Sequence, residues 1–251
     1  VQHYALPVEV YGASLVFARV GALAMLLPGV GETVVSPRIR LAFAFLLALT
    51  LYPVVRAGLP AVPSSVDGMF AQLVIEILIG LGLGAILRLF LGALVTTGEV
   101  ISLQTTLAFA QTTNPTQAQP AATVGSFLTV LALALIFATD LHQLFIGAIA
   151  KSYSLFIPGK APPVRDFAAL AVRMTGETFA LGVQLAAPVL VFSLIFNVAS
   201  GLIGRVMPQF QIFFIATPLT LLFGLSVFAL SLGMMGLVWI DRFRAFAIRL
   251  T

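Results

Sequence analysis

The sequence predicts an all-α membrane protein of about six long, partly kinked helices. Three observations carry that prediction. Hydrophobic residues make up 60% of the 251, charged residues only 9%, and the apolar residues fall into long unbroken runs. A soluble domain carries about 25% charged residues, so a chain this poor in charge cannot clothe a globule in a solvated surface. The runs lie at about 10–27, 39–55, 69–97, 121–150, 179–203 and 212–240. Each is too long for a strand, and none alternates as a membrane barrel strand does. A span needs about 20 residues, so the third and sixth runs predict tilt, a kink or extension beyond the bilayer.

Taken in order, the first run lacks a basic flank, carries Arg19 at its middle and closes at Pro28-Gly29. It therefore does not read as a cleavable signal peptide. Arg38 and Arg40 open the second, and Pro53 and Arg56 close it. The third holds Gly80, Gly82, Gly84 and Gly92; the Gly80-x-x-x-Gly84 spacing predicts close helix packing. The fourth carries Asp140, a charge inside an apolar run, near His142 in its last part, where the two read as marking an interfacial end. Residues 151–173 contain Lys151, Lys160, Arg165 and Arg173 with Pro158, Pro162 and Pro163. They predict a polar, solvent-facing linker between a first part, 1–150, and a last part, 174–251. Pro188 and Pro218 fall inside the fifth and sixth runs and are expected to kink them.

Charges inside apolar runs flag function in membrane proteins. Here Arg19, Glu76 and Arg88 are the candidate buried charges, with Glu177 near a segment start. Glu76 and Arg88 stand twelve positions apart, about 18 Å along one helix, and cannot pair. Arg19 with Glu76 is one possible pair, since apolar surroundings favour paired charges. A structural ion pair and a role in transport both fit.

Residues 99–120 differ from every other segment. After Glu99 the stretch carries no charge, yet it is rich in Thr, Gln and Asn. It is too polar for lipid and too uncharged for an ordinary exposed loop. Irregular backbone at membrane depth is tolerated inside protein or along a wet cavity, so a pore-lining or pore-blocking loop is expected.

Enzyme signatures are missing. Cysteine is absent, and His3 and His142 are the two histidines, which leaves no HExxH zinc site. No G-x-S-x-G elbow, P-loop or paired-carboxylate motif occurs. The expectation is no catalysis, no cofactor and no metal. The net charge of +4 comes without any basic run, so no nucleic-acid partner is expected.

Several stretches then resemble one family. Ala18-Arg19-Val20-Gly21 through Pro28-Gly29 and Pro37-Arg38-Ile39-Arg40-Leu41 look like its opening, and Glu76-Ile77-Leu78-Ile79-Gly80 like its third-segment signature. Gly98-Glu99 through Gln104, Phe109-Ala110 and Asn114-Pro115 sit where it has a plug loop. Most specific is 197–224, where Arg205, Pro208 and Gln209 match its Arg-x-x-Pro-Gln hairpin turn, followed by Pro218-Leu219. The chain resembles the FliR family of flagellar type III export-gate proteins and the SctT/SpaR proteins of virulence secretion. It departs at Thr106, where the family often has glycine, at Asn114, where it often has Asp, and at Thr116 and Gln117, where a loop glycine is common.

The resemblance implies a FliP-like first part over 1–150, including the plug loop, and a FliQ-like helical hairpin and tail over 174–251. It implies a cone-like ring with FliP and FliQ in the bacterial inner membrane, at the flagellar basal body and raised toward the periplasm. Other export proteins such as FlhB and FlhA, membrane lipid and unfolded flagellar substrates would be further partners. The pore plug would be Phe109, Ala110, Gln111, Thr112, Thr113, Asn114, Pro115 and Thr116. The Arg205–Gln211 turn would face the cytoplasmic entrance, whereas the distribution of basic residues puts both termini in the cytoplasm. The two signals oppose each other, and orientation stays open.

The alternative is a stand-alone secondary transporter of a small solute. Broken helices and midplane charges suit it, but no inverted repeat links the two halves.

Overall fold

In the computed structural model, the described residues are 7–108, 122–162, 164–207, 209 and 211–250. Among them the regular elements are seven α-helices and one short 3-10 turn, with no strand. The helices are α1 (Pro7–Ala24), α2 (Pro37–Val55), α3 (Val66–Gln104), α4 (Ala122–Ala138), α5 (Leu141–Leu155), α6 (Val164–Val206) and α7 (Ile212–Leu250). The 3-10 turn, Arg56–Gly58, follows α2. α1, α2 with that turn, α3, and most of α6 and α7 are long and apolar enough to cross a membrane. The pair α4 and α5 makes a sixth if it is one broken span. The protein is an all-α membrane protein, as its composition requires.

Local chemistry sets the helix ends. α1 opens on Pro7, whose missing N–H costs nothing in a first turn, and carries Glu9 there. Ser36 caps α2 by accepting the Ile39 N–H at 3.5 Å, with Pro37 as the first helical residue. Arg205 stands in the last turn of α6, where a cation complements the helix dipole. Pro188 lies inside α6 and Pro218 inside α7, and each helix continues past its proline.

Two boundaries differ from the reading of the sequence. The fourth run, expected as one helix, is divided between α4 and α5. Asp140 has φ 56, a left-handed conformation that an α-helix cannot pass through and that Asp tolerates better than most residues. The expected linker at 151–173 is also narrower. α5 runs on to Leu155 and α6 starts at Val164, leaving 156–163 between them.

The chain forms two compact units, and α3, α6 and α7 each contribute a stretch to both. One unit comprises Val1–Phe90, Phe137–Thr175 and Arg244–Thr251. There α1 packs on α2, with Phe17 edge-on to Phe45. Leu15, Val16, Val20, Ile79, Ile86 and Ile149 are buried in it. Gly80 and Gly84 let α3 approach α1. A Cβ at Gly80 would run into the Arg19 carbonyl, and one at Gly84 would come within 2.8 Å of Leu26 Cβ. The close packing expected from their spacing is present.

The other unit comprises Leu91–Ile136 and Gly176–Phe243. Its core includes Leu94, Ile101, Leu128, Ala132, Leu185 and Trp239. Trp239 stacks on Phe243 with ring centroids 5.0 Å apart. Thr97 is fully buried, and its hydroxyl serves Ala93 O at 2.7 Å and Gly182 O at 3.0 Å, within α3 and across to α6.

Candidate functional site

The most developed polar site in the described residues is built around Arg19 and Glu76. Both side chains are sealed from solvent, at 0% exposure. Arg19 sits in the fourth turn of α1, and Glu76 faces it from α3. The guanidinium donates from Nε to Glu76 Oε2 at 2.6 Å and from Nη2 to Glu76 Oε1 at 3.2 Å. This is the planar two-bond pairing that arginine alone offers a carboxylate.

The remaining donors reach the end of α5. Arg19 Nη1 donates to Ser152 O at 3.1 Å, and Nη2 to Phe156 O at 2.9 Å. The last carbonyls of a helix lack intrahelical partners and carry its negative dipole end. A cation there complements the dipole, and Arg19 adds a second bond to Ser152 O, which already accepts the Phe156 N–H at 2.8 Å. The Tyr153 ring closes the site from one face, 4.1 Å from the guanidinium carbon. Its hydroxyl donates to Val16 O at 3.4 Å, back on α1. Glu76 gains a further donor, the Gly159 N–H at 2.9 Å. Gly159 has φ +75, so the turn after α5 that presents this N–H needs glycine.

The cluster therefore joins α1, α3, the end of α5 and the turn before α6. A buried ion pair is costly unless its remaining bonding capacity is filled. Here backbone groups fill it. The sequence pointed to Arg19 and Glu76. It did not point to Phe156 or Gly159, which act through backbone atoms that carry no side-chain signature, or to Ser152, which accepts from Arg19 through its carbonyl at 3.1 Å and its hydroxyl at 3.4 Å. The Pro158-Gly159 dipeptide was the available signal, as a turn former.

The other expected sites fare differently. Arg88, expected among the buried charges, is exposed. Glu76 is committed to Arg19, and position 88 turns to the outer face of α3. Asp140 is exposed, and His142 is half-buried against Phe137 with ring centroids 5.5 Å apart. Arg205 and Gln209 are both exposed, while Pro208 lies outside the described residues. The whole expected plug, Phe109 to Thr116, also lies outside them. Among the described residues no group of His, Asp and Glu is placed to hold a metal ion.

The end of α3, where the chain turns toward that stretch, is described. Thr105 and Thr106 close the helix through N–H bonds to Ile101 O and Leu103 O. Thr106 has φ 60. A left-handed residue just past a helix is usually glycine, and this is one of the positions where the resembled family often has it.

The family model for bacterial export proteins, family 1, matches residues 10–246. The chain belongs to this family. Three relatives show how far the likeness extends. A flagellar biosynthetic protein FliR of Caulobacter vibrioides is 54% identical over 96% of both chains. The FliR of Pectobacterium carotovorum is 34% identical over 86% of this chain and 82% of its own. That of Escherichia coli is 33% identical over 84% and 80%. The family match, at residues 10–246, takes in Arg19 and Glu76.

Proposed function

We propose that this chain is a subunit of the flagellar type III protein-export gate in the bacterial inner membrane. Together with FliP-like and FliQ-like subunits it forms the passage through which unfolded flagellar substrates cross. Its own stretch Phe109–Thr116 obstructs that passage at rest. The observation that carries this reading is the 54% identity to a flagellar biosynthetic protein along 96% of both chains. It is supported by the uncharged polar strip set within a chain that is otherwise apolar.

The chemistry of the strip suits a seal. Phe109 and Ala110 supply apolar bulk that excludes water. Gln111, Thr112, Thr113 and Asn114 can bond to one another or to neighbours without a fixed charge that would hold an ion. A residue before proline, as Asn114 is before Pro115, is disfavoured in the helical region. In this reading the Arg19–Glu76 cluster is a fixed part of the frame, holding three helices while the gate works. The Arg205–Gln209 turn lies at one mouth of the passage. The sequence offers no nucleotide site, so the work of export comes from elsewhere, with FlhA and FlhB as further partners of the gate.

The test is purification from native membranes under mild detergent. A gate subunit copurifies with FliP-like and FliQ-like chains in a fixed ratio. A chain that purifies alone, and in liposomes moves a small solute, is the solute transporter instead.

A further inference from the structure

The end of α3 is held in a way that helix packing alone does not require. Gln104, its last residue, is bonded by Ser193 of α6, whose hydroxyl donates to Gln104 Oε1 at 2.7 Å. Ser193 is 1% exposed. Asn197, one turn further along α6, donates its Nδ2–H to Ser193 Oγ at 3.2 Å. Asn197 itself is exposed, so the three side chains make a short chain of bonds from an exposed amide to the helix end. From the other side, Thr105 is fully buried, and its methyl fills the space that a Cβ at Gly224 of α7 would need. Only a glycine leaves α7 close enough to hold Thr105 there.

Directly after this clamp comes Thr106 with φ 60. For a β-branched residue that conformation is a genuine outlier. Strain of this kind persists only where the surroundings over-determine it. The bonds on Gln104 and the packing on Thr105 supply that determination two and one residues before the strained position.

We propose that Gln104, Ser193 and Asn197 are positioning residues that fix where, and in which direction, the chain leaves α3 toward the obstructing strip. This rests on the reading that the strip seals the passage. The α6–α7 hairpin thereby sets the root of the seal: Ser193 and Asn197 through hydrogen bonds, Gly224 through contact. Gln104, Thr105 and Thr106 precede the strip in the chain, so the direction fixed at them is the direction in which it begins.

The experiment measures small-ion leak across the inner membrane in cells carrying the assembled gate, together with copurification of its subunits. Ser193→Ala and Asn197→Ala should assemble as the parent chain does and leak severalfold more. Ser193→Thr keeps the hydroxyl and should restore the seal. Asn197 is exposed, so its variant reads the bond chain even if Ser193→Ala fails to assemble. Deletion of Gln111–Asn114 serves as the comparator. If the deletion leaks and both alanine variants seal as the parent does, the positioning role is overturned and the obstructing strip stands. If the deletion does not leak either, the reading of the strip itself fails, and this proposal with it. A leak in the alanine variants that Ser193→Thr does not reverse also overturns it, because loss of packing then explains the effect.

Discussion

Arg19 and Glu76 meet through two hydrogen bonds, 2.6 and 3.2 Å, with neither side chain open to solvent. The same guanidinium caps the end of α5 at Ser152 O and Phe156 O. Two isolated charges in apolar helices thus become one closed polar cluster that ties together segments far apart in the chain.

Removing either partner should be severe. Arg19→Ala leaves a buried carboxylate with one remaining donor, the Gly159 N–H, and two helix-end carbonyls without Arg19. The expected loss is about 3–5 kcal/mol, the range for breaking a buried pair. Arg19→Lys should recover little of it, because a compact ammonium cannot serve the carboxylate and both carbonyls in one plane. Exchanging the two residues should also fail, since a carboxylate at position 19 would face those carbonyls. Thermal unfolding of the purified chain in detergent checks all three variants.

The glycines of α3 give a graded test. Gly80→Leu and Gly84→Leu drive a side chain into the Arg19 carbonyl and into Leu26, and should cost about 1–3 kcal/mol each. Gly176→Ala, in α6, meets nothing within 4 Å and should gain up to about 1 kcal/mol from helix propensity. The same unfolding measurement separates them. Equal behaviour of Gly80 and Gly176 would remove the packing argument.

Thr106 stores strain. Its left-handed φ costs about 1–3 kcal/mol for a non-glycine residue, while glycine gives back about 0.5–1 kcal/mol in chain entropy. Thr106→Gly should therefore be neutral or stabilising by up to about 2 kcal/mol, and Thr106→Val should not stabilise. Stability curves for the two variants decide it.

Arg88, on the long apolar helix α3, is a charge that the chain itself leaves exposed. A cation in so apolar a helix is tolerated where it faces protein or water rather than lipid tails. Arg88→Leu should leave the purified chain's stability within about 0.5 kcal/mol, and should lower the yield of the multi-subunit complex. Measuring both quantities on the same preparation checks the prediction.

Much of this architecture was legible in the sequence because lipid imposes simple rules. Run length located the spanning helices, and opposite charges inside two of them made Arg19 with Glu76 one possible pair. The spacing of Gly80 and Gly84 announced a close helix contact. What hydropathy could not reveal was which way a residue points. Arg88 and Glu76 share one helix and similar surroundings in sequence, yet one is exposed and the other sealed. The division of the fourth run at Asp140 was hidden for a related reason: one left-handed residue ends a helix without lowering the mean hydropathy on either side. Ser193 passed unnoticed because a lone serine in a long apolar helix is ordinary until its partner on another helix is known.

In the proposed gate, the uncharged strip after α3 closes a passage for polypeptide. Deleting Gln111–Asn114 and following small-ion permeability of the inner membrane, in cells whose gate is shown to assemble, tests it most directly. The account predicts an assembled gate with a large ion leak. An assembled gate that stays tight to ions would contradict it.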